Sequence, residues 1–429
     1  MRLPGRLSAA IEVLTDVETR HRPVSEALKA WGLNNRFAGA GDRAAIGNIV
    51  YDALRRRSSH AFAMGNDTPR ALVLSVVVRD WGEHPDELAA GFAADAHAPE
   101  TMSADEVARL SEPEPLAVAP EYVRADLPEW VADAVRGVLG EALVAEGQAM
   151  AGRPPLDLRV NTLKSTRDKV VKSLSRFQPD DAHAVPDGIR ISAGARDSRT
   201  PNVQTDEAFL KGGFEVQDFG SQMVALLAGA KPGEQILDLC AGAGGKTLAM
   251  AAAMQNRGQI FAHDSDRNRL APIYDRLKRA GVRNVQVRPP AEGALDDLVG
   301  KLDRVVIDAP CTGSGTWRRR PDAKWKLTPE QVAARASEQK AILEAGARYV
   351  KPGGTLVYIT CSILPTENGE QVAAFLAAHP EFAVVPGAGL WHHHIAGAAR
   401  AKFLPEGGLQ LSPGTTGTDG FYFAALRRT

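Results

Sequence analysis

The period of the apolar positions changes twice along the chain, and the changes divide it into three parts. From Leu7 to Val17 and again from Ala44 to Leu54, apolar residues recur at helical spacing, punctuated by Gly32, Gly39, Gly41 and Gly65. Residues 1–115 therefore read as an all-α domain, whose last part, within 82–120, consists of short Ala-, Glu-, Asp- and Pro-rich helices leading into a linker. One helix runs from Gly41-Asp42-Arg43 to Arg55-Arg56-Arg57, acid first and base last, as the helix dipole favours. The plain interpretation of that arginine run is a solvated helix end.

A second helical pattern, Leu127 to Ala149, stops before Gly152 and Pro154-Pro155. A strand from Leu156 to Val160 follows, then a helix from Thr166 to Phe177 with Thr166 as its cap, then a strand from Gly188 to Ser192. Residues 116–212 thus form linker helices and a small α/β connector, the β-α-β half of an RNA-recognition-like module without its aromatic pair. From residue 213 to 429 strands and helices alternate, which implies a parallel sheet. The strands are Gln235 to Leu239, Gln259 to Ala262, Arg304 to Ile307 and Thr355 to Ile359, with helices at Thr247 to Met254 and Asp266 to Ala280. A closing pair, Gly408 to Leu411 and Phe421 to Leu426, is joined by the turn-rich SPGTTGTDG and reads as antiparallel.

Composition changes this picture little. The 429 residues are 44% hydrophobic, enough for two or three domains. A formal charge of −1 gives no global basic signature, so any binding to nucleic acid rests on local patches. No apolar run suits a signal peptide or a membrane span, and the three cysteines have no repeated spacing; a cytoplasmic monomer without membrane, metal or disulfide framework is expected.

The loop after the first strand of the third part reads LDLCAGAGGKT. A phosphate-cradling loop needs glycine where Cys240 stands, and a dinucleotide fingerprint needs a different spacing from that of Gly242, Gly244 and Gly245. What remains is a glycine turn that brings backbone close to a ligand lacking pyrophosphate. Asp264, at the end of the next strand, is placed to accept from ribose hydroxyls, and S-adenosylmethionine has that shape. The alternative is a plain strand-to-helix turn that needs glycine for packing.

Two thiols sit beyond two other strands. In VVIDAPCTGSGTWRRRPDAKW, Asp308, Pro310 and Cys311 follow an apolar run and lead into a Thr-Gly-Ser-Gly loop that reads as flexible; Cys361 follows Thr355 to Thr360. A lone cysteine there is usually a small buried hydrophobe. A pair at the sheet edge where the ligand lies is harder to dismiss. Zinc would need more ligands, and the compartment argues against a disulfide. Nucleophilic catalysis is left, and C5 of cytosine is a suitable target: it accepts a methyl group only after a thiolate adds to C6. The arginines between Trp317 and Trp325 suit an anionic, aromatic polymer. Arg159, Asn161 and Lys164 of RVNTLK read equally as phosphate contacts or as ordinary strand-end polar residues.

LDLCAGAGGKT, VVIDAPCTGSGTWRRRPDAKW and YITCSILPTENGEQV, in this order, resemble motifs I, IV and VI of the RNA cytosine-C5 methyltransferases of the RsmB/Nop/Sun family. GFEVQDFGSQ, LRVNTLK and GTDGFYFAAL fit as well, and GDRAAIGNIVYDALRRR resembles the NusB-like RNA-binding domain of the bacterial RsmB branch. The resemblance implies a Rossmann-like S-adenosylmethionine-dependent domain at 213–429 behind an all-α NusB-like domain and the α/β connector. It also implies methylation of cytosine C5 in RNA, foremost that of the small ribosomal subunit. Cys361 would attack C6, Cys311 would assist release, Asp308 would hydrogen-bond the base and touch the cofactor, and Lys246 would point toward the reaction centre. Cys240, Ala241, Gly242, Ala243, Gly244, Gly245 and Lys246 would form the cofactor loop, with Asp264 on the ribose; Arg318 and Arg319, joined by Arg159 and Asn161, would meet RNA. Two departures stand out: Ala243 replaces the family's usual proline, and RPPAEG from Arg288 lacks the aspartate that often holds adenine, where Glu292 is the substitute. A transfer-RNA substrate and a non-catalytic assembly factor are the competing readings.

Three features are expected to be structural. His392-His393-His394 reads as a surface loop because consecutive residues do not converge on one ion, His263 as a packed side chain, and Trp317 and Trp325 more as loop packing than as base-stacking platforms.

Overall fold

The computed structural model describes residues 1–180, 185–395 and 400–429. The chain folds as two units: one comprises 1–154, 193–200 and 317–326, the other 155–192, 201–316 and 327–429.

The first unit is helical. Helix α1 (Leu3–Arg20) buries Leu7, Ala10, Leu14 and Val17, an i, i+3, i+4 stripe, against α3 (Ala40–Arg55), whose Ile46, Ile49, Val50 and Ala53 are fully buried. Between them in sequence lies α2 (Val24–Asn34); α4 (Arg57–Met64) and α5 (Pro69–Ser75) follow. Thr68 caps α5 by accepting from the Ala71 amide, and Pro69 takes the first helical position, where no amide hydrogen is needed. Each large aliphatic side chain buried here contributes about 1.5–3 kcal/mol.

The helices Glu129–Leu139 and Leu143–Met150 belong to this unit, which runs to residue 154. Gly147 permits the close approach involved, since a Cβ there would lie 2.3 Å from the Ala125 carbonyl oxygen. The arginine run is not simply a solvated helix end. Arg55 is buried; its Nε donates to the Arg318 carbonyl at 2.7 Å and its Nη1 to Asp52 at 2.9 Å.

In the second unit, β1 (Leu156–Val160) lies between β2 (Gly188–Ile191) and β3 (Phe214–Val216) in a small antiparallel sheet. Thr166 occupies the cap position of the helix Arg167–Ser173, but its side chain makes no capping hydrogen bond. The large sheet contains β4 (Gln235–Asp238), β5 (Gln259–His263), β6 (Val285–Arg288), β7 (Leu302–Asp308) and β8 (Val350–Thr360), parallel in the order β6-β5-β4-β7-β8. Val305 to Ile307 and Leu356 to Ile359 are buried throughout, as continuous apolar runs in a doubly covered parallel sheet should be. Beyond β8 the sheet turns antiparallel through β12 (Phe421–Arg428), β11 (Leu409–Leu411) and β10 (Lys402–Phe403), with β9 (Phe382–Val385) also on β12. The helix expected at 266–280 is two, Arg267–Leu270 and Ile273–Ala280, parted at Pro272, which has no amide hydrogen to donate.

Candidate active site

Strand order reverses between β4 and β7, and in an open parallel sheet a ligand lies at the carboxyl ends of the strands beside that reversal. The glycine loop leaves β4 there, Asp308 ends β7, and Cys311 and Cys361 follow β7 and β8.

The loop is tightly tied. Gly242 and Gly244 have φ of +49° and +84°, and a Cβ on Gly244 would lie 2.6 Å from the Ile273 side chain. Asp264 is buried at the end of β5; its oxygens accept from the Gly242 and Asp266 amides, each at 2.9 Å. Arg276 donates to the Ala243 carbonyl at 2.7 Å and to Glu215 at 3.0 Å, bracing the loop from outside. Asp238 is fully buried and accepts from the Thr247 hydroxyl at 2.6 Å, while its Oδ1 has no hydrogen-bond partner; burial pushes its pKa up to about 7. Burial, followed by the negative fields of Asp238, Asp264 and Asp308, raises the Cys240 thiol. Lys246, the loop's cation, is neutralised by Asp308 at 2.6 Å and lies 5.3 Å from the Phe421 ring centre. A turn encircled by carboxylates repels phosphate and suits a ligand carrying a sulfonium and an ammonium. S-adenosylmethionine fits it on those grounds.

Cys311 and Cys361 face each other with Sγ atoms 3.3 Å apart. The hydrogen bond with Cys361, then burial, then the charges of Cys361 and Glu367 keep the Cys311 thiol well above its ordinary pKa. The group that fixes this pair is one the sequence analysis passed over. Glu367 is fully buried and accepts from the Thr312 amide at 2.8 Å, the Thr312 hydroxyl at 2.6 Å, Gln339 Nε2 at 3.0 Å and the Ser362 hydroxyl. Thr312 follows Cys311 and Ser362 follows Cys361, so one carboxylate ties both thiol-bearing loops. Its signal was an acid shortly after Cys361 and two residues past Pro365, where the strand cannot continue. Nor is the Thr-Gly-Ser-Gly loop loose: Ser314 is buried, its hydroxyl 2.9 Å from that of Ser362 and accepting from the Ile363 amide, and the Gly315 amide donates to the Cys361 carbonyl.

The expected RNA contacts are not assembled here. Arg159 is buried, with Nε on Gln217 at 2.6 Å, and burial lowers its pKa to about 10. Asn161 is buried as well and donates to the Gly212 and Ala280 carbonyls, each at 2.8 Å. Both are internal braces, which corrects their reading as phosphate contacts. Arg318 is buried in the helical unit, a position unsuited to a surface contact, and Arg319 is half-buried. Trp317 is buried, and Trp325 packs on the helical core with its indole donating to the Leu54 carbonyl at 2.7 Å. His263 Nδ1 is bonded to the Arg288 carbonyl at 2.8 Å, and Glu292 is exposed beyond β6. The histidine triplet is the last turn of the helix Gly387–His394, not a loop; among the described residues no three His, Cys, Asp or Glu side chains form a metal-binding group.

Sheet order and glycine turn together define a Rossmann-like domain of the kind that S-adenosylmethionine-dependent methyltransferases share. Residues 224–427 match the family described as 16S rRNA methyltransferase RsmB/F, and 127–196 match the ferredoxin-like domain of the RsmF/B type; the chain belongs to this RsmB/F family. It is 35% identical over 306 residues to the ribosomal RNA small subunit methyltransferase B of Enterobacter sp. (strain 638), a match covering 70% of this chain and 66% of that protein, just short of two thirds of its length. The protein of the same name from Sodalis glossinidius is 39% identical over 282 residues, covering 64% of this chain and 59% of that one. Among solved structures, that of PH0851 superposes with a TM-score of 0.73 at 26% identity, covering 100% of this chain and 99% of the other.

Proposed function

We propose that the chain methylates C5 of a cytosine in RNA, with small-subunit ribosomal RNA as the substrate and a covalent Cys361 adduct as the route. The observation that carries this reading is the thiol pair 3.3 Å apart beside Asp308 and the glycine turn. The Cys361 thiolate adds to C6, which gives C5 the electron density it lacks in the free base. Cys311, kept as a neutral thiol, donates to the Cys361 sulfur and steadies the thiolate before attack and again as it leaves, once C5 has given its proton to a water molecule. Asp308, itself fixed by Lys246, accepts a hydrogen bond from the pyrimidine edge as the adduct forms. S-Adenosylmethionine bound against the residues 240–246 and Asp264 supplies the methyl group as an electrophile. The target base has to be unstacked to admit a sulfur above its ring, as enzymes acting on bases require.

The names of the relatives support the ribosomal substrate, and the helical unit is read as the part that engages RNA. Cys361→Ala should abolish methyl transfer from labelled cofactor to small-subunit RNA, whereas Cys311→Ala should let a covalent protein–RNA species accumulate on denaturing gels. Full activity in Cys361→Ala ends this reading.

A further inference from the structure

The helical unit contains a cleft of about 270 Å³ walled by Arg56, Arg79, Arg153 and Arg196, with Asp52 and Asp80 among them. Three of these cations already have carboxylate partners. Arg56 meets Asp80 at 2.7 Å, Arg153 forks onto Asp52, and Arg196 pairs with Glu83. Arg79 differs: it makes no ion pair among the described residues. Its Nη1 and Nη2 donate to the Glu112 and Arg109 carbonyls at 3.2 and 2.7 Å, and its buried Nε has no acceptor. Carbonyl oxygens fix the guanidinium plane but do not cancel its charge. Burial accordingly disfavours that charge, with Glu112 and Asp80 acting only at longer range.

Arg153 is fixed in the same manner. Arg153 also donates to the Gly194 and Arg196 carbonyls, at 2.9 and 2.8 Å, and lies 5.9 Å from the Trp81 ring centre. Asp80 receives His60 Nε2 at 3.3 Å on its second oxygen, so it is not free to neutralise another arginine. The result is a rigid cleft with an excess of positive charge, an uncompensated guanidinium in its wall and room for a small anion. A tetrahedral, acceptor-only group matches such forks better than a planar, neutral one.

We propose that this cleft is a phosphate site on the helical unit, taking one backbone phosphodiester of the RNA on which the chain acts. It rests on the reading that the substrate is RNA, but it concerns where RNA is held and not what is done to it.

The test uses the full chain and a fluorescein-labelled hairpin of small-subunit ribosomal RNA, with anisotropy followed across a salt series. Arg79→Gln should weaken binding roughly tenfold, as loss of a charge-assisted contact does. The slope of log affinity against log salt should become shallower by about 0.7 to 0.9. The rate of methyl transfer at saturating RNA should stay within twofold of the parent. If Arg79→Gln lowers the melting temperature, Arg196→Gln at the exposed rim decides the matter, with weaker binding and a change of slope in the same direction expected. Unchanged affinity and slope in a folded variant overturn the proposal. If 10 mM inorganic phosphate raises the parent's melting temperature while both variants bind RNA normally, the cleft serves a free anion and the RNA assignment falls. A parent chain with no measurable RNA affinity would sink the underlying reading too, which separates the two failures.

Discussion

Residues 305–316 and 317–326 are one continuous stretch in sequence, with two acids, a thiol, two glycines, two tryptophans and three arginines, and they belong to different units. The first half ends a buried strand and is bound by Glu367, Ser362 and Gln339 into a pocket edge that keeps a thiol in place. The second half is structural filling of the helical unit. There Lys324 is buried, donating to the Arg55 and Asp126 carbonyls at 2.8 and 2.6 Å, while Trp325 closes the core. Charge and aromaticity therefore say little about purpose until it is known which backbone oxygens the side chains reach. In the first half polar groups order a thiol; in the second they order a fold.

This contrast can be broken by crossing variants. The largest effect is expected from Glu367→Ala, which unties both thiol loops; misplacement of reacting groups by about 1 Å costs on the order of a hundredfold in rate. Methyl transfer should fall by that order, and diamide oxidation of Cys311 to Cys361, followed by mass spectrometry, should slow. Arg55→Ala should do the opposite. It removes a buried charge from Asp52 and a donor from the Arg318 carbonyl, costing about 3 kcal/mol in denaturant unfolding while leaving the oxidation rate unchanged. An Arg55→Ala protein that oxidises as slowly as Glu367→Ala would show that the two halves are one device.

Further effects lie in pH. Lys324 is lowered to about 8 from 10.5 by burial, so the unfolded chain binds more protons between those values and stability rises with pH across that window. Asp238 is raised to about 7 from 3.8, so the native state binds more protons there and stability falls as pH rises from about 4 to 7. Melting temperature against pH should lose the upper rise in Lys324→Met and the lower fall in Asp238→Asn, each leaving the other limb intact.

The large sheet was legible in the sequence because its central strands are unbroken apolar runs ended by glycine, proline or acid. The two cysteines were legible for the same reason, as each ends such a run. What could not be read were partners distant in sequence. Nothing near Arg55 announces the Arg318 carbonyl, nothing near Arg159 announces Gln217, and an arginine in an internal bond has the same letter as one facing phosphate. Glu367 was missed because an acid in a loop is ordinary until four donors are seen converging on it. Pro272 was an exception in the other direction, a visible break inside a helix drawn as one.

The Gly420 amide donates to the Gly315 carbonyl at 2.8 Å, and a Cβ on Gly315 would lie 2.1 Å from the Gly420 oxygen. β12, which begins at the next residue, is zipped along β8 up to Thr360, beside Cys361. On the ribosome both thiols leave the exit tunnel well before the backbone that closes over their loops. The loops that carry both thiols are therefore completed only when β12 is in place, long after the thiols themselves have been made.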